Sequence, residues 1–291
     1  MARSLGRIAS LGLHVAVPPL ALAVCARAVL YQRSLGRLPR LPLSRRAEAT
    51  GIAGLHDVDF ESEPGVTIRG WHRAPKNGAA VILSHGSDAN REQLMPELSV
   101  LTDAGFGVLA FDWPGQGESG GHLSWGRGER LGMQAAVTFL ERRGEHSRLG
   151  TFGFSFGGIF SAQVAALDRR VNAVALAATP HALDEQRRWV HRRWGLLSQT
   201  SGLLAAHLLY GPQGELEPVR VIDRVSPRPL LLIAGGADQT VPQFMTDALF
   251  GAAREPKSLY VVPGAGHGDF DRAAPADYTR TLREFFERSL L

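Results

Sequence analysis

Five short apolar runs, separated by helix-length segments, constrain this chain more than any other feature. They are Ala79-Ala80-Val81-Ile82-Leu83-Ser84, Gly107–Phe111, Val171–Ala178, Pro229–Ala234 and Ser258–Val262. None alternates polar with apolar positions, as expected of strands covered on both faces. Glu92–Ala104 places Leu94, Leu98 and Leu101 on one helical face, Leu131–Arg142 reads as helix, and Tyr278–Leu290 closes the chain as an amphipathic helix. A hairpin is expected ahead of these elements, with strands His56–Glu61 and Val66–His72 flanking Ser62-Glu63-Pro64-Gly65. With one further strand before residue 155, the pattern predicts an α/β fold built on a doubly wound, mostly parallel, eight-stranded sheet.

That further strand is Leu149-Gly150-Thr151-Phe152-Gly153-Phe154, running into Ser155-Phe156-Gly157-Gly158. A helical run follows at once, with Ile159, Phe160 and Val164 on one face. A serine on a tight strand-to-helix turn presents its hydroxyl above the sheet, beside the helix N-terminus. Gly153 and Gly157 suit such a bend, where side chains would collide. The helix dipole and the N–H of Phe156 favour negative charge next to Ser155. In a sheet of this type, sites lie at the carboxyl ends of strands. Two more strand ends carry chemistry: Asp238 in Gly235-Gly236-Ala237-Asp238, and His267 in Gly264-Ala265-Gly266-His267-Gly268. A serine hydroxyl needs a base to take its proton during attack. His267 can serve, and can return that proton to the leaving group, while Asp238 holds the imidazole in the productive tautomer. Asp269 and Asp271 are the competing acids and read as loop or helix-capping residues.

The motif, its context and the chain order Ser155, Asp238, His267 resemble the serine-hydrolase branch of the α/β-hydrolase family over residues 57–291. The resemblance extends to His85-Gly86-Ser87, similar to the family's H-G segment, and to Asp112-Trp113-Pro114-Gly115-Gln116-Gly117-Glu118-Ser119. It implies an oxyanion hole from the backbone N–H groups of Ser87 and Phe156, a bracing role for His85, and a scaffold role for the Asp112–Ser119 turn. Pro114 stands where many relatives carry arginine. The N-terminal apolar segment and the small insert resemble the Bem46-like, membrane-anchored group within that family.

Ile8 to Leu30 is apolar apart from Ser10, His14, Cys25 and Arg27, about the length of the shortest membrane span. A membrane anchor helix over residues 1–31, a signal peptide cleaved near Val24-Cys25-Ala26, and a peripheral helix all fit it, while a lipid-modified Cys25 fits less well because Val24 is large for the position before it. The anchor places the protein at a membrane, and the arginines after the segment (Arg27, Arg33, Arg37, Arg40) outnumber Arg3 and Arg7 before it, which favours a cytoplasmic-facing domain over a secreted or periplasmic one. Residues 1–46 hold eight arginines and no acid, +8, leaving 24 basic against 28 acidic residues, −4, in the remainder. The basicity is therefore local, and the body is not expected to bind nucleic acid. Residues 32–56, with Pro39 and Pro42, read as a linker. Cys25 is the only cysteine, so no internal disulfide forms.

Residues 181–228 are too long for a simple crossover and read as a helical lid insert. The stretch Gln186–Trp194 mixes arginine with tryptophan, and Gly195–Tyr210 is rich in leucine. Such a segment suits acyl chains or aromatic esters. No metal-ligand spacing, phosphate loop or cofactor motif stands out, so neither a metal nor a cofactor is expected. The expected activity is hydrolysis of small-molecule carboxylic esters or acyl lipids through an acyl-enzyme. A thioesterase, amidase or acyltransferase would use the same residues, and a catalytically silent, membrane-tethered binding protein could keep the same fold.

Overall fold

The computed structural model describes the backbone of residues 2–212, 214 and 217–291, and the side chains of these from residue 19 onward. By contact density the chain forms two compact units, one of residues 1–37 and 184–212, the other of 38–183 and 213–291.

The larger unit opens with β1 (His56–Glu63) and β2 (Val66–Arg73), an antiparallel hairpin. Then come β3 (Ala79–Ser84), β4 (Gly107–Phe111), β5 (Arg148–Phe154), β6 (Val171–Ala177), β7 (Leu230–Gly235) and β8 (Lys257–Val262). The sheet has eight strands in the order β1-β2-β4-β3-β5-β6-β7-β8, parallel throughout except at β1 and β2. Every residue of β3, β4 and β7 is buried, which explains their unbroken apolar runs. Successive side chains point to opposite faces, so Val81 and Leu83 join one layer and Ala80 and Ile82 the other.

In chain order the helices are α1 (Ala2–Leu35), α2 (Met95–Asp103), α3 (Arg127–Arg143), α4 (Phe156–Leu167), α5 (Leu183–His191), α6 (Gly195–Tyr210), α7 (Pro218–Val221), α8 (Gln243–Ala252), α9 (Phe270–Ala273) and α10 (Pro275–Leu290). One core layer joins Leu98 and Leu101 of α2 and Leu282, Phe285 and Phe286 of α10 to Val81, Phe152, Ala175 and Leu231. Helices α3 and α4 pack on the sheet with their own buried faces, Met133, Ala136 and Val137 in α3 and Ile159, Phe160 and Val164 in α4. The predicted helix from Glu92 is a 3-10 turn (Arg91–Leu94) before α2, because Pro96 favours a helix start at Met95.

The stretch expected to be a linker is tied down from residue 40. Arg40 donates to the carbonyls of Ser119 (2.5 Å) and Gly121 (2.8 Å), Glu92 accepts from the N–H and hydroxyl of Ser44, and Asn90 donates to the carbonyls of Leu41 and Pro42.

The smaller unit pairs α1 with α6, joined by α5. The expected N-terminal apolar helix is helical in backbone. However, no helix among the described residues is long and apolar enough to cross a membrane. Residues 8–18 of the apolar segment lie outside those with described side chains. Within this unit Gln32 Nε2 donates to His191 Nε2 (3.2 Å), Tyr210 Oη donates to the Gln32 carbonyl, and Tyr31 meets His191 edge-on. The expected insert is thereby divided: 184–212 belong with α1, and 213–228 with the sheet.

Candidate active site

Ser155 sits between β5 and α4 with φ 52° and ψ −115°. A side-chain-bearing residue at positive φ costs about 1–3 kcal/mol and persists only where its surroundings enforce it. Here the glycines enforce it. A Cβ at Gly153 would lie 2.6 Å from Gly158 Cα, one at Gly157 2.1 Å from the Ser84 carbonyl oxygen, and one at Gly158 1.8 Å from Thr179 Oγ1. The Ser155 N–H donates to the Ala177 carbonyl at 2.8 Å, pinning the turn to β6.

The loops after β7 and β8 are joined by their backbones, because these strands are parallel neighbours. Gly236 N–H donates to the Val262 carbonyl (3.0 Å) and Ala237 N–H to the Ala265 carbonyl (2.8 Å). Asp238 and His267 are thus brought together before their side chains contribute. His267 Nδ1 lies 2.7 Å from Asp238 Oδ2, and His267 Nε2 lies 3.0 Å from Ser155 Oγ. Asp238 is buried, and its Oδ1 accepts from the N–H groups of Thr240 (2.7 Å) and Val241 (2.9 Å). A carboxylate held this way can only accept from Nδ1–H. That fixes the imidazole tautomer and leaves the Nε2 lone pair facing the serine hydroxyl. The Phe154 ring lies 5.0 Å from the imidazole, centroid to centroid, and a Cβ at Gly268 would strike it at 2.7 Å. Asp269 precedes α9 but caps nothing with its side chain, and Asp271 lies in that helix's first turn.

Phe156 begins α4, its ring packed against Trp125 (4.8 Å) and Phe160 (4.9 Å). Ser87 follows β3 in the next turn. Among the described residues, no acceptor within the chain takes the N–H of Ser87 or of Phe156. Two residues shape the Ser87 loop. Gln93 Oε1 accepts from Gly86 N–H at 2.8 Å, an anchor that no sequence motif announced. His85 is fully buried, with Nδ1 2.7 Å from the Gly86 carbonyl and Nε2 accepting from Trp113 N–H at 3.3 Å. Burial lowers its pKa to about 4; the Gly86 carbonyl opposes that shift and the Arg91 charge adds to it. The ring is neutral and braces the loop.

The Asp112–Ser119 turn is scaffold. Asp112 binds the N–H groups of Arg91 and Glu118 and pairs with the buried Arg91 guanidinium, which also reaches Glu118 at 2.6 Å. A Cβ at Gly117 would overlap the Asp112 carboxylate at 2.2 Å, so that position admits only glycine. Arg91, 21 residues earlier, supplies the cation of the turn from outside the motif. Among the described residues, no group of three or more His, Cys, Asp or Glu side chains could hold a metal ion.

Residues 79–210 match the alpha/beta hydrolase fold family. An uncharacterized protein of Mycobacterium tuberculosis is 30% identical over 249 residues, covering 84% of this chain and 80% of that protein. This chain belongs to the alpha/beta hydrolase fold family. In fold, the hydrolase is also similar to an esterase of Pyrococcus furiosus, with a TM-score of 0.73 at 23% identity over 87% of this chain and 99% of that one. A polyketide transferase of Penicillium is 24% identical over 264 residues, 74% of the hydrolase and 90% of the transferase. The match to the family model ends at residue 210, so Asp238 and His267 are placed by the geometry above and not by that match.

Proposed function

We propose that this hydrolase cleaves carboxylic esters through an acyl-enzyme formed on Ser155. The observation that carries the reading is the continuous chain Ser155 Oγ–His267 Nε2 (3.0 Å) and His267 Nδ1–Asp238 Oδ2 (2.7 Å), ending on a serine held at positive φ. His267 Nε2 takes the hydroxyl proton as Oγ bonds to the ester carbonyl carbon. Negative charge then develops on the carbonyl oxygen, where the unshared amides of Ser87 and Phe156 are suited to receive it. Collapse of the tetrahedral intermediate breaks the bond to the alkoxy group, which leaves with the proton carried by His267. Water, deprotonated by the same nitrogen, repeats the attack and frees the acid. Asp238 accepts from Nδ1–H throughout and stabilises the imidazolium formed in each half.

Similarity to a polyketide transferase supports a second reading, in which an alcohol or amine replaces water in the second half-reaction. The layout of an N-terminal helix ahead of a hydrolase body is what would group the chain with Bem46-like proteins. A series of p-nitrophenyl esters of graded chain length tests the first reading. The wild type should turn over at least one member, Ser155→Ala should lose about 10³-fold or more, and thermal stability should be nearly unchanged. Equal turnover by the two proteins would overturn it. Product ratios in water with added alcohol separate hydrolysis from transfer.

A further inference from the structure

The unit formed by residues 1–37 and 184–212 is packed in the reverse sense to the sheet domain. Helix α6 buries Ser198, Gly202, Ala205 and Ala206, while Leu196, Leu204 and Leu208 are 77%, 61% and 79% exposed. Helix α1 buries Ala28 and Gln32 and exposes Leu20, Leu22, Val29 and Leu30. Polar groups are paired inside: Gln32 meets His191, and His191 Nδ1 meets Ser198 Oγ at 3.0 Å. Close approach depends on the small residues, since a Cβ at Gly202 would lie 2.6 Å from the His191 ring. Among the described residues, 11 of the 15 exposed large hydrophobic side chains belong to this unit. Small and polar inside, leucine outside is the arrangement of helices whose surroundings are lipid.

Charge indicates which surroundings. The unit holds nine arginines against Asp184 and Glu185, +7, whereas the remaining 23 basic and 26 acidic residues give −3. Arg27 lies over the half-exposed Trp194 ring at 3.9 Å, and Arg192 over Trp189 at 3.6 Å. Tryptophan beside arginine fits the headgroup level of a bilayer. A groove of about 650 Å³ lined by Ala23, Ala26, Arg27, Leu30, Tyr31 and Ser34 offers apolar wall and one cation together. A second copy of the unit would bring +7 against +7, which disfavours self-association.

We propose that α1 and α6 together form a docking surface for anionic phospholipid bilayers. The leucines of α6 enter the headgroup–acyl boundary, and the arginines meet the phosphates. The insert is thus a membrane-binding element in its own right, whatever residues 1–18 contribute. This inference is independent of the catalytic reading.

The test is flotation of the full-length protein with vesicles of phosphatidylcholine alone or mixed with phosphatidylglycerol. Binding should appear only with the anionic lipid and weaken as salt rises. Leu204→Gln, Leu208→Gln and Leu209→Gln together should lower partitioning by roughly tenfold or more. Should that variant fold poorly, a nitrobenzoxadiazole label on Leu208→Cys, in a Cys25→Ser background, gives a second readout. Its emission should shift to the blue on anionic vesicles and stay unchanged on neutral ones. The proposal is overturned if the folded triple variant binds as tightly as the wild type. Equal binding to both vesicle types, an unshifted label, or self-association through the leucine face in place of vesicle binding would also overturn it. None of these readouts involves ester turnover.

Discussion

The two units of this protein use opposite packing rules. In the sheet domain, leucine, valine and phenylalanine are inside: Val81, Leu101, Phe152 and Leu231 are all nearly inaccessible. In the unit of residues 1–37 and 184–212, α6 turns alanine, glycine and serine inward and leucine outward. Burial of apolar area stabilises the first in water. The second gains little that way, since Leu196, Leu204 and Leu208 stay exposed. The docking proposed above would give those leucines a solvent other than water, beside a body packed for water. The charge division, −3 against +7, follows the same boundary.

The largest expected effect lies at the buried Arg91–Asp112 pair, which holds together the turn after β4. Arg91→Ala leaves an uncompensated buried carboxylate and should destabilise the sheet domain by about 3–5 kcal/mol, read from urea unfolding. A loss under about 1 kcal/mol would mean that water reaches Asp112.

Matched leucines sharpen the contrast. Leu101→Ala, in the core of α2, should cost about 2–5 kcal/mol. Leu208→Ala, on the outer face of α6, should change stability by about 0.5 kcal/mol or less. Similar losses at both positions would break the comparison, since Leu208 would then be covered in solution.

A smaller effect depends on pH. Glu97 in α2 is buried, accepts from Tyr278 Oη at 2.5 Å, and among the described residues its Oε2 has no hydrogen-bond partner. Burial raises its pKa to about 7, against the opposing Tyr278 hydrogen bond and with a small addition from Asp271. The folded state thus holds a proton that the unfolded state releases near pH 4.5. That contribution is complete below about pH 4.5 and is lost as pH rises through 7. Glu97→Gln should therefore match the wild type near the lower end of that window and exceed it above the upper end, by on the order of 1–3 kcal/mol. A pH-independent difference would contradict the burial argument.

Most of the sheet domain was legible because its signals are local. Unbroken apolar runs mark β3, β4 and β7, and the turn at Ser155 needs glycine at fixed offsets, where any Cβ would clash. What escaped notice depends on contacts without periodicity. The α1–α6 pairing goes through Gly202, Ala205, Ala206 and Ala28, residues that leave no apolar stripe in a sequence. Arg40 is tied to two backbone carbonyls, which no motif records, so its stretch read as a loose linker. Arg91 and Gln93 act on partners 21 and seven residues away, and α8 carried no capping signal. The alternation of strands and helices showed where a site would be built, while the second layer of residues holding it needed three dimensions.

The central claim is that Ser155 is the nucleophile, activated by His267 and Asp238. The most direct measurement is intact-protein and peptide mass spectrometry after reaction with a fluorophosphonate. One adduct should form, on Ser155, with loss of fluoride; labelling should vanish in Ser155→Ala and slow by orders of magnitude in Asp238→Asn. An unmodified wild-type protein, or an adduct on another residue that persists in Ser155→Ala, would contradict the account.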